Sequence, residues 1–403
     1  MNTYLVGGAV RDQLLGYPVR ERDWLVTGVT GEQLRALGYR QVGKHFPVFL
    51  HPLTHEEYAL PRHARGGDAS QPASVEEDLQ RRDLTINAMA LAEDGSLIDP
   101  CGGQQDLQQR LLRHTPAFRD DPIRLLRAAR FAARYHELGF RIADDTRQLM
   151  QQMVDQGDLA DLVPERTFSE IARALEEEQA QVFFQVLREC GALALILPEV
   201  DRLFGVPQPP QYHPEIDTGV HTLMVLQQAC RLSEEAQVRF AALLHDVGKG
   251  TTPEEEWPRH IGHEARGVAL IDGLAQRLRI PNDWRDLASA CARYHLHGHR
   301  ALQLKPASLL KLLDGLDALR RPQRFEQFLL VCIADMRGRS GLEDRPYPQA
   351  DYLRGALDAL ARLDNRSVIA GTKGRSVEET LRRAQLRELA AFKQNWQARN
   401  PLA

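Results

Sequence analysis

Two short stretches near the N-terminus contain the residue types that bind nucleotide phosphates and a metal ion. Residues 4–12 read YLVGGAVRD, a short apolar strand followed by Gly7-Gly8 and a helix predicted to open at Ala9. A glycine turn that leads into a helix presents free backbone N–H groups, which suit a phosphate. Arg11 adds a planar cation that bonds two phosphate oxygens at once. We therefore predict that Gly8 and Arg11 bind a nucleotide.

The second stretch supplies two carboxylates, Glu21 and Asp23, just before the apolar run 24–26. Side chains two positions apart on an extended strand lie on the same face, so both carboxylates point one way and Arg22 points the other way. Such a pair can hold Mg²⁺ between itself and a triphosphate. The alternative is a pair of solvated acids ahead of a buried strand. The glycine turn and Arg11 favour the metal site, with Glu21 and Asp23 as the catalytic pair.

Residues 76–90 form a third motif, in which an acidic helix start leads to RRDLTINA at 81–88. Arg82 can pair with triphosphate oxygens, and Asp83 can accept a hydrogen bond from a ribose hydroxyl. The alternative is a helix cap with a salt bridge, and the residues alone do not separate the two.

Arginines recur every three residues between 121 and 134, on a helix that Asp120 or Asp121 is predicted to cap and that has Pro122 in its first turn. The repeat places Arg124, Arg127 and Arg130 in a slanted stripe. Like charges on one helix face destabilise the helix unless anions lie along it. A solvated face is the alternative, but few acids stand at i±4, so we predict phosphate or base contact.

The C-terminal half carries a different cluster. Residues 240–250 read FAALLHDVGKG, an apolar run predicted as a buried helix that reaches His245 and Asp246 and is ended by Gly248 and Gly250. Adjacent His and Asp at the end of a buried helix are costly unless they bind something. With His221 and Asp335 they can close around one divalent metal, for which imidazoles suit nickel, cobalt or zinc-like ions. Further candidates, with a polar surface as their alternative, are His260, His263, His295, His297 and His299, and Lys249 for a phosphate.

These motifs, over residues 4 to about 340, resemble the class II CCA-adding tRNA nucleotidyltransferases of the polymerase-β superfamily, and in particular the bacterial form with a C-terminal HD phosphohydrolase domain. RRDLTINA resembles the family's sugar- and phosphate-binding motif. DDPIR at 120–124 resembles its EDxxR motif, and LLHDVGKG at 243–250 resembles the HD signature. The resemblance implies template-independent addition of CCA to tRNA 3′ ends from CTP and ATP. It also implies a metal-dependent phosphatase and 2′,3′-cyclic phosphodiesterase, so that one protein would serve tRNA maturation and repair.

The resemblance also implies roles for individual residues and partners. Asp121 and Arg124 would read the Watson–Crick edge of the incoming base, with Arg127 and Arg130 in the same pocket. Mg²⁺ would serve nucleotidyl transfer, and a transition metal, with nickel favoured, would serve the HD site. The expected partners are ATP, CTP and the tRNA acceptor arm. The sequence departs from the family at Glu21, where most relatives have Asp, at Asp120, where the motif has Glu, and in a shorter loop at 61–77.

Composition excludes some classes of protein. The formal net charge of −4 rules out a molecule that is basic overall, so RNA contacts must come from local patches. The five cysteines include no CxxC pair, which disfavours zinc and disulfide frameworks and indicates the reducing cytosol. No signal-peptide pattern or bilayer-length apolar run is present. We therefore expect a cytoplasmic protein without a membrane partner.

The order of the patterns predicts an α+β fold with four parts. A small mixed α/β nucleotidyltransferase head spans 1–110, and an all-α neck and body that binds nucleotide and tRNA spans 111–205. After a proline-rich boundary, an all-α HD domain spans 217–340, and a helical tail spans 341–403. The tail offers no recognisable chemistry; it could support a homodimer or touch tRNA.

Two rival functions stay open on the sequence. A poly(A) polymerase of the same superfamily would make a long tail from ATP alone. An RNA-binding or regulatory protein with an impaired polymerase head would retain only the HD hydrolase activity, and Glu21 and the short loop motivate this reading.

Overall fold

The computed structural model describes residues 1–19, 21–42, 48–62, 73–370 and 376–400. The chain forms two compact units. The first contains Met1–Val163 with Val182–Ala192, and the second contains Pro164–Gln181 with Leu193–Ala403. This division is coarser than the predicted four parts, whose boundaries stay predictions.

The first unit is built on a mixed sheet of seven strands in the order β3-β4-β5-β2-β1-β6-β7. Neighbouring strands in this described sheet are antiparallel, apart from β2 and β5, which run parallel. A two-stranded sheet pairs β8 with β9 in parallel. The strands are β1 Asn2–Val6, β2 Asp23–Thr27, β3 Arg40–Gln41, β4 Val48–Leu50, β5 Glu57–Ala59, β6 Ala90–Ala92, β7 Leu97–Ile98, β8 Leu111–Leu112 and β9 Arg141–Ile142.

Six helices complete most of this unit, and local sequence explains their ends. Thr30 and Ser74 each begin a helix through a capping box with the residue three positions on. Pro122, rather than Asp120 or Asp121, is the N-cap of α5, although Asp121 still accepts from the Ile123 N–H at 3.2 Å. The helices are α1 Gly8–Leu14, α2 Gly31–Ala36, α3 Val75–Gln80, α4 Gly103–Gln109, α5 Ile123–Arg134 and α6 Asp144–Asp155.

The central strands hold the core of this unit. Val6 on β1 and Leu25 on β2 are buried together with Leu79 on α3 and Ala90 on β6. Because both central strands are buried, the positions of their ends are fixed. The ends of β1 and β2 therefore present Gly7 and Asp23 at one edge of the sheet, where Val6 pairs with Asp23.

From Pro164 onward the described structure is helical. The helices are α7 Pro164–Glu176, α8 Ala180–Glu189, α9 Ala192–Ile196, α10 Pro198–Asp201, α11 Thr218–Leu232, α12 Ala236–Leu244, α13 His263–Leu278, α14 Asn282–His299, α15 Pro306–Gly315, α16 Pro322–Arg337, α17 Pro348–Ala361, α18 Asn365–Ala370 and α19 Val377–Arg399. In the second unit α11, α12, α14 and α16 pack on one another, and α13 packs on α14. The predicted α+β class, with a mixed head and an all-helical C-terminal region, is confirmed.

Several local predictions need correction. Helix α1 begins at Gly8, one residue before the predicted Ala9. Helix α12 ends at Leu244, so His245 and Asp246 follow the helix and are not inside it, and the glycines at 248 and 250 lie in the next 3₁₀ turn. The loop predicted at 61–77 ends earlier, because α3 begins at Val75. The comparison of its length falls mostly on residues 63–72, which lie outside the described residues.

Among the described helices, none combines the length and apolar character needed to cross a bilayer.

Candidate functional site

The Gly7-Gly8 turn brings Arg82 against the start of α1. Gly7 has φ +68° and ψ −126°, a region that residues with a Cβ atom rarely adopt. A Cβ atom on Gly7 would also lie 2.7 Å from Nη1 of Arg82. Asp78 holds this guanidinium in place, since its Oδ2 accepts from Nη2 of Arg82 at 3.1 Å. A Cβ atom at this turn would therefore both strain the backbone and press on the Arg82 guanidinium.

Three carboxylates lie beside the turn. Asp23 pairs in register with Val6 on one side and with Glu57 on the other, and Glu21 precedes the strand. Burial raises the pKa of Asp23, and the charge of Glu21 raises it further against the opposing effect of Arg82. Burial also raises the pKa of Glu57, with added repulsion from Asp23 and Glu21. A cation placed among these acids would relieve the repulsion.

Glu57 was missed by the sequence analysis. A signal existed, because Glu57 opens the run EYAL at 57–60, whose residue types are compatible with a short strand. The sequence did not show that β5 lies beside β2. This pairing places Glu57 next to Asp23 and so adds a third carboxylate to the Glu21–Asp23 pair. Glu21, Asp23 and Glu57 together are the residues that could hold Mg²⁺.

Asp83, which is buried, forms an ion pair with the partly exposed Arg127. Both Nε and Nη2 of Arg127 lie 2.8 Å from Oδ2 of Asp83, while Oδ1 accepts from the Leu84 N–H and from Asn87. Burial alone would raise the pKa of Asp83, but Arg127 and these hydrogen bonds hold it at about 2. All acceptor positions of the carboxylate are thus in use, and a ribose contact by Asp83 stays a prediction.

Arg11 joins the same network through Asn87. Its Nη1 donates to Oδ1 of Asn87 at 2.5 Å, and its Nε donates to Asp12 at 2.9 Å. The guanidinium also lies over the Phe131 ring of α5, 5.5 Å from the centroid. Arg11 is 4 % exposed, so it is a fixed cation beside the glycine turn.

The arginine stripe on α5 is balanced by groups from other segments. Arg124 donates to the backbone carbonyls of Arg81 at 2.7 Å and Arg82 at 3.1 Å, and also to that of Ala117. Burial lowers the pKa of Arg124, against the raising effect of Asp83 and Asp121. Arg130 is buried with its guanidinium 4.9 Å from the Phe131 centroid. The stripe is therefore not a solvated face, and base or phosphate contact by its arginines stays a prediction.

Four buried histidines in the second unit all point their Nε2 atoms toward two aspartates. Each Nδ1 atom faces a carbonyl oxygen, which only accepts, so each ring carries its hydrogen on Nδ1 and a lone pair on Nε2. The pairs are His221 with Gly338 at 3.1 Å, His245 with Ala242 at 2.7 Å, His263 with His260 at 2.8 Å and His295 with Cys291 at 3.0 Å. This is the tautomer that metal binding through Nε2 requires.

Asp246 lies between two groups of these histidines. Its Oδ2 is 3.3 Å from Nε2 of His245, and its Oδ1 is 3.4 Å from Nε2 of both His263 and His295. Asp335 completes the first group, with Oδ1 at 3.2 Å from Nε2 of His221. Two clusters with ligand spacing, His221-His245-Asp246 and Asp246-His263-His295, therefore share Asp246.

The donor set fits divalent metal. Nε2 of His221, His245 and His263 and Oδ1 of Asp246 are buried and have no hydrogen-bond partner, a costly arrangement unless a cation binds there. Burial would raise the pKa of both aspartates, but nearby positive charges outweigh burial and lower it: Lys249 acts on Asp246, and His299 and Arg339 act on Asp335. The aspartates are thus anionic, as metal ligands must be.

Gly248 allows the turn after Asp246 to pack closely against His263. A Cβ atom on Gly248 would lie 1.9 Å from the carbonyl oxygen of His263, so only glycine lets the turn after Asp246 pack against the start of α13. His263 and His295 were expected only as further candidates. In the structure they lie with the four predicted ligands, so that six side chains are grouped.

The other histidine candidates have different surroundings. His260 contacts the Pro207 carbonyl oxygen and the Thr252 hydroxyl, His297 is exposed, and His299 bonds Asp335 at 2.5 Å. Lys249, a predicted phosphate contact, bonds Asp246 and Gln208, each at 2.6 Å.

Comparisons with known proteins bear on the family and the fold of the chain. Family models match residues 3–113 ("Poly A polymerase head domain"), 139–204 ("Probable RNA and SrmB- binding site of polymerase A") and 218–319 ("HD domain"). A solved structure of a CCA-adding enzyme with CTP shares the fold at 20% identity and a TM-score of 0.67, covering 96% of this chain and 87% of that one.

Curated relatives are much more similar in sequence. A multifunctional CCA protein of Thioalkalivibrio sulfidiphilus (strain HL-EbGR7) is 58% identical over 98% of this chain and 100% of its own length. Another, of Alkalilimnicola ehrlichii (strain ATCC BAA-1101 / DSM 17681 / MLHE-1), is 56% identical over 98% of each chain. Identity at this level over nearly the full length shows that the chain belongs to the multifunctional CCA protein family.

Proposed function

We propose that this chain adds C, C and A to tRNA 3′ ends from CTP and ATP without a nucleic-acid template. The observation that carries this proposal is the grouping of Glu21, Asp23 and Glu57 at the edge of the sheet where Gly7 admits Arg82. Membership of the multifunctional CCA protein family supports it.

In this proposal the head residues bind and align the nucleotide. Glu21, Asp23 and Glu57 would hold Mg²⁺, which when bound lowers the pKa of the attacking 3′ hydroxyl and stabilises the leaving pyrophosphate. Arg82 and Arg11 lie beside the glycine turn and would pair with the triphosphate oxygens. Asp83 fixes Arg127 in one orientation, so that little side-chain entropy is lost when a nucleotide binds.

Base selection would fall to Asp121 and Arg124. Three carbonyl contacts hold the Arg124 guanidinium in place and occupy three of its five N–H donors. The remaining donors match acceptor atoms on the Watson–Crick edges of cytosine and adenine. A side chain held this rigidly can replace a template base, because its hydrogen-bonding pattern does not vary between turnovers.

The test is extension of a tRNA that lacks CCA, with Mg²⁺ and labelled CTP and ATP. We expect addition of C, C and A by the parent chain and none by Asp23→Ala. No incorporation by the parent would exclude the proposal. A long product made from ATP alone would instead identify a poly(A) polymerase.

We further propose that the HD domain is a metal-dependent phosphatase and 2′,3′-cyclic phosphodiesterase, which would clean tRNA ends before repair. One ligand group would be His221, His245, Asp246 and Asp335, and a second would be Asp246, His263 and His295. Divalent metal bound there, with nickel favoured, supplies Lewis acidity and an activated water. Lys249 is buried beside Asp246 and would pair with the phosphate of the substrate.

Hydrolysis of a 2′,3′-cyclic nucleotide in the presence of Ni²⁺ tests this second activity. We expect His245→Ala to abolish hydrolysis while CCA addition continues. If Asp23→Ala leaves every measured activity intact and His245→Ala abolishes them, the chain is an HD hydrolase with an impaired polymerase head.

A further inference from the structure

Glu215 is a buried carboxylate that belongs to neither metal-ligand group. Its side chain is 3% exposed, and Oε1 lies 2.9 Å from Nδ1 of His221 and 3.0 Å from Nδ1 of His213. The two nitrogens of the His221 ring face different groups. Nδ1 faces Glu215 and the Gly338 carbonyl oxygen, while Nε2 faces Asp335.

We propose that Glu215 is a positioning residue that fixes the ring of His221 and strengthens its Nε2 atom as a metal ligand. This inference rests on the proposed metal site of the HD domain. A carboxylate behind a ligating imidazole keeps the hydrogen on the ring nitrogen that faces the carboxylate. It also raises the basicity of the other ring nitrogen, which faces the metal. Such partners change metal affinity by about 10- to 100-fold when they are removed.

The chain places Glu215 through a closed turn. The backbone N–H of Gln208 donates to the Ile216 carbonyl at 2.7 Å, and Asp217 caps α11 by accepting from the Val220 N–H at 2.8 Å. Ile216 has φ +60°, a left-handed conformation that a β-branched residue adopts only under constraint. The turn therefore determines which way Glu215 points, six residues before His221 on α11.

His213 supports the carboxylate from its other side. Its ring packs edge-on against His221, with centroids 4.7 Å apart, and its Nδ1 atom donates to Glu215. His213, Glu215 and His221 also have the spacing of a metal site. A metal on Nδ1 of His221 would displace the hydrogen that the Gly338 carbonyl requires, so we assign Glu215 to support and not to ligation.

The second carboxylate oxygen of Glu215 also supports this assignment. Its Oε2 atom is buried without a hydrogen-bond partner. Burying a carboxylate against imidazoles alone is unfavourable. A cation on the opposite side of the His221 ring would compensate the charge through that ring.

The test is titration of the metal-free full chain with Ni²⁺ by calorimetry. Glu215→Gln removes the charge and keeps the size, and exposed Glu255→Gln is the matched control. We expect about 10-fold weaker Ni²⁺ binding for Glu215→Gln and parental affinity for Glu255→Gln. The melting temperature of the metal-free protein and CCA addition should both stay at parental values.

Parental affinity in Glu215→Gln would overturn the inference and leave the metal site standing. Weakened binding together with a lower metal-free melting temperature would also overturn it, because Glu215 would then act on folding alone. If Glu215→Gln does not fold, Glu215→Asp keeps the buried charge but withdraws it from Nδ1; undiminished Ni²⁺ binding by that variant contradicts the inference. A parent chain that binds no divalent metal would remove the metal site and this inference together.

Discussion

Asp23 and Glu57 are register partners on two parallel strands, 34 positions apart in the sequence. Because β2 and β5 run parallel and in register, both strands begin at the same edge of the sheet. Antiparallel pairing flanks this parallel pair on both sides in the described sheet. The glycine turn after β1 lies at that edge as well, because Val6 is the other register partner of Asp23. The carboxylates and the turn are thus brought together by strand pairing and not by sequence proximity.

Glu57→Gln should raise the Mg²⁺ concentration that nucleotidyl transfer requires. We expect about 10-fold more Mg²⁺ to be needed for half-maximal CCA addition, because the variant lacks one of three negative charges around the ion. The measurement is the initial rate as a function of Mg²⁺ concentration. Glu32→Gln, on the exposed side of α2, is the control and should behave as the parent. Equal Mg²⁺ requirements in both variants would separate Glu57 from the site.

Gly7→Ala should impair nucleotide binding as well as stability. The new Cβ atom would displace the Arg82 guanidinium, which lies 2.7 Å away. Losing one charge-assisted contact costs about 1.5–3 kcal/mol, so KM for CTP should rise roughly 10-fold or more. The measurement is steady-state kinetics with CTP varied.

Gly95→Ala is the matched control for Gly7→Ala. Gly95 also has a positive φ, +82°, but no atom within 4 Å of the position of a Cβ. Its substitution should lower the melting temperature through backbone strain alone, with KM for CTP unchanged. A KM that rises equally in both variants would mean that strain, and not Arg82, is responsible.

Asp83 should make the stability of the head depend on acid pH. Its pKa is held at about 2, below the ordinary value of 3.8, so the stabilisation is present above about pH 4 and is lost as the pH falls toward 2. The difference corresponds to about 2 kcal/mol. Asp83→Asn should lack this acid-dependent loss, although it is less stable at neutral pH because the ion pair between Asp83 and Arg127 is lost.

Urea unfolding at a series of pH values measures this effect. Trp24 lies on β2 and reports on the head once Trp257, Trp284 and Trp396 are replaced by Phe. Asn87→Ala is an informative comparison, since it removes one hydrogen bond to Asp83, together with the acceptor of Arg11, and should shift the acid transition slightly upward in pH. Parallel pH profiles for the parent and Asp83→Asn would contradict the assignment.

His263→Ala should reduce the amount of metal bound per chain without affecting CCA addition. If the two ligand groups that share Asp246 bind one ion each, the parent binds two ions and His263→Ala binds one. Elemental analysis after dialysis against Ni²⁺ gives the ratio. Exposed His297→Ala should match the parent. A ratio of one in the parent that His263→Ala preserves would exclude the second group.

Residue types and local spacing predicted the parts of each site that lie close together in the chain. The glycine turn, the Glu21–Asp23 pair and the His245-Asp246 dyad are all visible in short windows. The arginine stripe on α5 was also visible, but its partners were not. Asp83, which balances Arg127, and two of the three carbonyls that hold Arg124 come from residues 81–83, about forty positions earlier.

The sequence alone determined the fold class and predicted the two kinds of chemistry and the residues at the centre of each site, because glycine turns, acid pairs and helical periodicity are local properties. Tertiary structure decided which further residues join them. Strand order brought Glu57 to Asp23, and helix packing brought His263 and His295 to Asp246. A turn held by Ile216 brought Glu215 behind His221. Such juxtapositions depend on how buried surfaces pack between distant segments, and no local pattern encodes that packing.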